Sequence, residues 1–323
     1  MSQDTDLSPH IHERSTAPHV EQGHHRPIRV YLLLAIGILT FGLSPILVRF
    51  AGETDPLLLA AGRLLFSILL LFPFWLRSGS SPAEMKLQGV KLYWPILAGI
   101  ILGFHFVLWI SSIQLTSVAS ASVLVTMHPV LLIVLEYLFF KNRFPLLTWA
   151  GVLIALAGSI LLGVADSGGV YILEGATSLF PTAPLGNLLA FLAAVLFAFY
   201  FLIGRSIRQK TSWINYVFYV YVSATVTTLL TLCTLSGWPP ELTRIAILIS
   251  FFLAIGPTLI GHGAMNYAVK YFSATLLATL ILAEAVLASL MAFFLFGEVP
   301  SMLSLFAMGV IVFGITFTWK KAP

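Results

Sequence analysis

Six ionisable side chains lie inside long apolar stretches of the sequence: Arg63, His105, His128, Glu136, His262 and Glu284. In a hydrocarbon core each of them costs about 2.5–3.5 kcal/mol on insertion scales, so each needs a protein or water partner. A carboxylate and an imidazole at the same depth could bind the two ends of a zwitterion. They could also exchange protons, because histidine titrates near neutral pH. These residue types therefore favour ligand binding or proton transfer within an apolar bundle.

His128 and Glu284 are the pair that we assign first to a binding site. Both lie in the middle of apolar stretches. His128 precedes Pro129, which removes a backbone donor and frees a carbonyl, as in the broken helices that line cavities. The alternative is a buried hydrogen bond between the two side chains that only joins two helices.

Two stretches carry further polar and aromatic side chains at helical spacing: His105, Trp109 and Ser112 in one, and His262, Asn266 and Tyr267 in the other. If these faces point inward, they form a wall suited to amphipathic or aromatic substrates and to cation–π contacts. The alternative is ordinary helix packing with interhelical hydrogen bonds. Trp109 favours the cavity, because interfacial tryptophans belong at span ends and this one lies well inside.

Arg63 opens the second apolar stretch, near acidic residues of the preceding loop. It could attract anionic groups or gate a cavity, paired with Glu53 or Asp55. The alternative is a side chain that extends to the membrane surface and pairs there.

We predict structural roles for Glu136 and for the glycines Gly99 and Gly103. Lys141 and Arg143 follow Glu136 closely enough to neutralise it at the interface. Gly99 and Gly103 form a GxxxG pattern, which permits close helix contact within the chain or in a homodimer.

The elements that must position these residues are membrane-spanning helices. The chain is 59% hydrophobic and 9% charged, whereas soluble domains carry about 25% charged residues. Its apolar runs are as long as the ~20 residues that a bilayer requires. We predict an all-α integral membrane protein with ten transmembrane helices, at Val30–Phe50, Pro56–Leu76, Tyr93–Ile113, Val118–Phe140, Leu147–Val164, Leu185–Gly204, Tyr216–Leu235, Ile245–Met265, Ala274–Phe296 and Met302–Trp319.

The basic residues predict the orientation. Of the 17 lysines and arginines, all but Arg49, Arg63 and Arg244 fall on the side of the N-terminus. This bias places both termini in the cytoplasm of a multi-pass cell (inner) membrane protein. The net charge of +4 is then a topology signal and indicates no nucleic-acid partner.

The two halves of the chain are related by a shift of 156 residues, the distance from Phe41 to Phe197. The same shift relates Arg49 to Arg205, and His128 to Glu284. Five spans per half is an odd number, so the second copy is inverted relative to the first. The predicted organisation is a disordered cytoplasmic tail (1–29), a first repeat (30–165), an extracytoplasmic linker (166–184) and a second repeat (185–320).

Several segments resemble EamA-type proteins of the drug/metabolite transporter superfamily: Glu284–Glu298, which is similar to the family's "EPV…A…LGE" signature, residues 261–268, Gly309 and Gly314, Ser44-Pro45, Arg63, and Met127–Val130. The resemblance covers residues 30–319 and implies two inverted five-helix repeats. It also implies the export of amino acids or other small metabolites. Ala285 stands where the family has proline, which predicts a weaker kink in span nine.

We therefore predict a secondary transporter that works by alternating access, since an inverted repeat supplies two mirror-related arrangements around a midplane site. Walker and HExxH motifs are absent from the sequence, so ATP-driven transport by this chain alone is not expected. We predict neither an enzyme nor a cofactor. The expected partners are a small-molecule substrate and the lipid bilayer, with protons as candidate coupling ions. The alternatives are a nucleotide-sugar or organic-phosphate transporter of the same superfamily, and a membrane scaffold or enzyme.

Overall fold

The computed structural model describes residues 27–52, 54–115, 124–166, 182–237, 240–297 and 299–319, which form helices joined by turns and short connections. The elements are α1 (Ile28–Phe50), α2 (Pro56–Arg77), α3 (Pro82–Leu87), α4 (Tyr93–Leu115), α5 (His128–Phe140), α6 (Leu146–Asp166), α7 (Ala183–Arg208), α8 (Trp213–Leu235), α9 (Arg244–Leu253), a π-helix (Ala254–His262), α10 (Gly263–Ala268), α11 (Ala274–Ile281), α12 (Ala283–Phe296) and α13 (Met302–Trp319). Most of the predicted tail and linker lies outside the described residues.

Within the described ranges, nine helical stretches are long and apolar enough to cross a membrane, and the shorter α5 is the tenth apolar helix. Large apolar side chains cover the outside of the bundle; Leu69 is 58% exposed and Phe294 80%. Helices suit this environment because lipid offers no hydrogen bonds to a backbone, so each span must satisfy its own. The all-α membrane prediction is confirmed. The N-terminal part of predicted span four falls largely on residues 116–123, outside the description.

The contacts between helices follow the internal duplication. α4 packs on α7 and α8, and the equivalent π-helical span packs on α1 and α2. α5 packs on α7, and its equivalent α12 packs on α1. Two further contacts, α2 with α8 and α6 with α13, each join an element to its own counterpart. Every one of these contacts joins the two repeats, so the halves form a single interleaved bundle around a common axis.

We use two names for the ends of this bundle. The proximal end is the one at which α1 begins, and the distal end is the one at which α1 ends. Because successive spans reverse direction, α5, α7 and α10 finish at the proximal end, whereas α11 starts there.

Span eight is not a regular α-helix. Its centre is a π-helix of nine residues that contains Pro257. Proline lacks the N–H that an α-helix would use, and π-segments are frequent at functional sites. The side-chain hydroxyl of Thr258 donates to the carbonyl of Leu253, five residues earlier, at 2.8 Å. This segment rotates Thr258 and His262 toward the middle of the bundle, where both are buried.

Span nine is interrupted at Leu282, between α11 and α12, although the proline expected near this point is Ala285. The Leu282 N–H bonds to the carbonyl of Thr279, three residues earlier, so the helix tightens there. The expected weakening of the kink therefore does not leave a continuous helix. Glu284 follows the interruption directly and begins the second half of the span.

The GxxxG pattern of α4 packs within the chain. A Cβ on Gly103 would lie 2.7 Å from the Thr227 side chain and 3.0 Å from the Ala224 carbonyl of α8, and Gly99 meets α8 even more closely. The small residues therefore permit α4 and α8 of opposite repeats to approach backbone to backbone. This contact accounts for the pattern without a second copy of the chain.

Candidate functional site

A cluster of aromatic rings joins the two repeats at mid-depth. We define the central cluster as the rings of Phe41, His105, Phe106, His128, Phe197 and His262. Phe197 is its hub, with ring centroids 4.7 Å from His128, 5.3 Å from His105 and 6.3 Å from His262. His262 also lies 4.9 Å from Phe41 and 5.5 Å from Phe106. The structure thus brings together three histidines from spans three, four and eight.

Backbone contacts assign the tautomers of two of these histidines. The Nδ1 atom of His105 lies 2.9 Å from the Ala193 carbonyl, and that of His128 lies 2.8 Å from the Val125 carbonyl. A carbonyl only accepts, so both Nδ1 atoms carry the proton and each Nε2 is left as an acceptor in the neutral ring. The Nε2 of His128 is buried without a hydrogen-bond partner among the described residues, with the backbone of Ala278 nearby.

Arg63 enters the cluster from α2. Its Nε donates to the Thr258 hydroxyl at 2.9 Å, and its guanidinium carbon lies 4.5 Å above the Phe106 ring. The side chain is 2% exposed, so the sequence alternative of an arginine at the membrane surface is wrong. Tyr221 donates to the Thr258 carbonyl at 2.8 Å and steadies this contact.

Glu284 is only partly buried, and its carboxylate makes no hydrogen bond to another described residue. Its carboxyl group forms no ion pair with Arg63; the salt bridge within the described residues is the one between Arg205 and Glu136. The hydrogen bond between His128 and Glu284 that the sequence suggested as an alternative is not formed. Glu284 and Arg63 are therefore two ionisable groups, one from each repeat, that do not touch.

The remaining predicted site residues occupy different places. Asn266 is fully buried next to the cluster and donates to the Tyr200 hydroxyl at 2.6 Å and to the His262 carbonyl at 2.8 Å. Trp109 is partly buried one turn from His105 and packs against the main core. Tyr267 lies toward the proximal end, with its ring 5.7 Å from Tyr271. The structure therefore does not bring Tyr267 into the central cluster.

An ion pair joins the two repeats at the proximal end. Glu136, at 0% exposure, pairs with Arg205 of α7. It also accepts from the backbone N–H and hydroxyl of Thr275, at 2.9 and 3.1 Å, and from Asn142 at 2.9 Å. The expected neutralisation by Lys141 and Arg143 is wrong, because the partner comes from the opposite repeat. We call Glu136, Arg205 and Thr275 the proximal latch.

An apolar cavity of about 450 Å³ lies beside this site rather than in it. Its walls belong to α1 and to spans nine and ten, and include Leu34, Ile38, Leu287 and Trp319. Such a surface suits acyl chains rather than a polar ligand. None of the ionisable residues named above lines it.

Sequence reasoning missed the aromatic hub and the threonine that holds Arg63. Phe41 and Phe197 are equivalent under the 156-residue shift, as are Phe106 and His262. Equivalent midplane positions that face inward in two inverted repeats lie near the common axis, so the shift gave a signal for the aromatic residues. Thr258 carried no such signal, because only the π-helix turns it toward α2.

Comparison with known proteins gives a consistent result. The model of the EamA-like transporter family matches residues 28–164 and again 184–320. An uncharacterized transporter of Bacillus subtilis, YdfC, is 28% identical over 244 residues, 74% of this chain and 75% of that protein. An uncharacterized transporter of Archaeoglobus fulgidus is 25% identical over 296 residues, 89% and 95% of the two chains. A solved crystal structure has the same fold, with a TM-score of 0.74 at 21% identity over 92% of this chain and 98% of that one. The chain belongs to the EamA-like transporter family.

Proposed function

We propose that the protein exports small metabolites, with amino acids as the leading class, by alternating access across the cell (inner) membrane with both termini cytoplasmic. The observation that carries this proposal is the central cluster with Arg63 and Glu284. It places ionisable groups of both repeats at mid-depth in an apolar bundle. Uncompensated polar groups in lipid are costly, so their concentration on the common axis favours a site that receives a polar ligand.

The proximal latch supports a two-state mechanism. Glu136 of α5 pairs with Arg205 of α7 and accepts hydrogen bonds from Thr275 of α11, and we infer that these contacts close one end of the site. Inverted repeats can exchange conformations, which opens that end and closes the other. With the proximal end in the cytoplasm, as the charge bias predicts, the described conformation is closed toward the cytoplasm.

The organic-phosphate alternative is less favoured by the charges around the cluster. Phosphate carriers need several cations at the site, but Arg63 is the cation that the described residues place at the central cluster. The family and the names of the relatives point to a transporter rather than to an enzyme or a scaffold.

Flux through liposomes tests the proposal. Purified protein should release preloaded labelled amino acids faster than protein-free vesicles, and His128→Gln and Glu284→Gln should lose most of that flux with an unchanged melting temperature. Glu241→Gln is the matched control, because Glu241 is exposed at the distal end. If no member of a broad metabolite panel is released, transport by this chain is rejected. If both site variants lose stability rather than flux, the residues only pack.

A further inference from the structure

The apolar cavity beside the central cluster lies between the two repeats. α1 of the first repeat forms one wall, and Leu280, Leu287 and Trp319 of the second repeat form the other. The walls meet at the deep end, because a Cβ on Gly42 would lie only 2.7 Å from the Cβ of Leu287. From this contact the cavity, of about 450 Å³, follows α1 back to Tyr31 near the proximal end.

The cavity opens toward lipid within a single leaflet. Tyr31 and Leu39 both line it, and they are 41% and 48% exposed. From Tyr31 to Leu39 the helix rises about 12 Å at 1.5 Å per residue, which is less than half of a ~30 Å hydrocarbon core. The length and the apolar walls of the cavity therefore fit one acyl chain of the leaflet at the proximal end.

Aromatic rings border the proximal end of the cavity. The Phe272 ring lies 5.6 Å from that of Tyr31 and 5.0 Å from that of Trp319, so it connects the two walls. We call these three residues the aromatic rim. Tryptophan and tyrosine are enriched at the depth of the lipid headgroups. The aromatic rim therefore marks the level at which the headgroup of a lipid in the cavity would lie.

Two features at the aromatic rim favour a headgroup with an anionic phosphate. The indole N–H of Trp319 is buried without a hydrogen-bond partner among the described residues, although a buried tryptophan N–H usually finds an acceptor. Arg29 is exposed on α1, two residues before Tyr31, and Lys320 and Lys321 follow Trp319 in the sequence. Basic residues beside span ends attract anionic lipids. A phosphate could accept from the indole and lie near these cations.

The internal duplication indicates that the aromatic rim is not a requirement of the fold. Under the 156-residue shift, Tyr31 corresponds to Asn187 and Trp319 to Gly163. Two of the three rings are therefore not repeated at the distal end, although the equivalent helices α5 and α7 also pack on each other there. The charge bias assigns the proximal end to the cytoplasm, and the cytoplasmic leaflet is the one that carries anionic lipids.

We propose that this cavity is a binding site for one anionic phospholipid, with an acyl chain between α1 and spans nine and ten and with the phosphate at the aromatic rim. The site is separate from the central cluster. Because its walls belong to different repeats, the bound lipid stabilises the described arrangement of one repeat against the other.

Lipid titration of the purified, delipidated full-length chain tests the proposal. Thermal shift and native mass spectrometry compare dioleoyl phosphatidylglycerol with dioleoyl phosphatidylcholine, which has the same acyl chains and a zwitterionic headgroup. The native protein should retain one phosphatidylglycerol molecule. It should bind this lipid about fivefold more tightly than phosphatidylcholine, the gain expected from one nearby arginine.

Matched variants locate the acyl chain and the headgroup. Ala35→Trp fills the cavity from an exposed position and should abolish the binding of both lipids, whereas Ala157→Trp, at an exposed position of α6, should not. Arg29→Gln should remove the preference for phosphatidylglycerol, whereas Arg77→Gln, exposed at the proximal end of α2, should keep it. Trp319→Phe keeps a ring but loses the N–H, so it should weaken the binding of both lipids about fivefold.

These readouts do not require transport, so the proposal is tested independently of the proposed function. Equal binding of the two lipids by the native protein, or lipid retention by Ala35→Trp, overturns it. If oleate alone saturates the thermal shift, the occupant is a free fatty acid and the headgroup assignment is wrong. Should Ala35→Trp fail to fold, the comparison of lipids on the native protein and the Arg29→Gln variant still decide.

Discussion

Replacing Glu136 with glutamine should open the proximal end of the bundle. The native carboxylate accepts two bonds from Thr275 and one from Asn142, and it pairs with Arg205. Glutamine has the same shape, and its single oxygen can keep the contacts with Thr275. Its amide nitrogen then faces the N–H donors of Arg205 and Asn142, and it cannot accept hydrogen bonds from them. The variant therefore removes the ion pair of the proximal latch and leaves the packing in place.

The size of the effect follows from burial. Glu136 is fully buried, whereas the Arg205 side chain is 16% exposed and can recover some hydration once its partner is lost. Hydrogen bonds to charged groups contribute about 1.5–3 kcal/mol each, so we expect a net loss of about 2–3 kcal/mol for the closed conformation. Because 1.4 kcal/mol corresponds to a factor of ten in an equilibrium constant, the population of the open conformation should rise about 30- to 150-fold.

Cysteine accessibility measures this population. Cys233 is the only cysteine of the chain and is exposed, so a Cys233→Ser background removes it. Thr279→Cys then reports on the interior, since Thr279 is fully buried one turn inside the latch. A membrane-impermeant maleimide added from the proximal side should label this cysteine about 30- to 150-fold faster in the Glu136→Gln variant, in proportion to the open population. Asn142→Ala keeps the ion pair and should change the rate far less.

Unchanged labelling in a Glu136→Gln variant that still melts as the parent does would refute the reasoning. The double variant with Arg205→Gln separates gating from simple destabilisation. It removes the unpaired guanidinium and should recover melting temperature, but it should not restore closure. If the double variant recovered both its melting temperature and the slow labelling rate, the ion pair would only stabilise the packing, and other contacts would hold the proximal end closed.

Two matched pairs of variants test the packing. A Cβ on Gly314 would lie 2.7 Å from a backbone carbonyl of α6, whereas one on Gly309 would meet nothing within 4 Å. Gly314→Ala should therefore lose about 1–3 kcal/mol and lower the melting temperature, while Gly309→Ala should be neutral or gain up to about 1 kcal/mol. The hydroxyl of Tyr216 is buried without a hydrogen-bond partner among the described residues, whereas that of Tyr200 accepts from Asn266 at 2.6 Å. Thermal melting should show Tyr216→Phe as neutral or stabilising and Tyr200→Phe as destabilising by about 0.5–1.5 kcal/mol; the reverse order in either pair would contradict these contacts.

The amino-acid sequence by itself determined that the chain is a bundle of membrane helices, that it is duplicated, and which ionisable groups lie within apolar spans. These properties depend on local composition and on position along each span. A run of about 20 apolar residues must become a helix in lipid whatever surrounds it. The equivalence of His128 and Glu284 likewise follows from the shift alone, without knowledge of any contact.

Only the tertiary structure decided which groups meet. Arg63 contacts Thr258 across 195 residues of chain, and Glu136 finds Arg205 across 69, whereas the nearer Lys141 and Arg143 are not its partners. Partner choice depends on the rotation of each helix about its axis, and a π-helix or an interrupted span changes that rotation without a clear signal in hydrophobicity. The chain therefore encodes locally which ionisable groups lie within its spans, but their pairing arises from the packing of one repeat against the other.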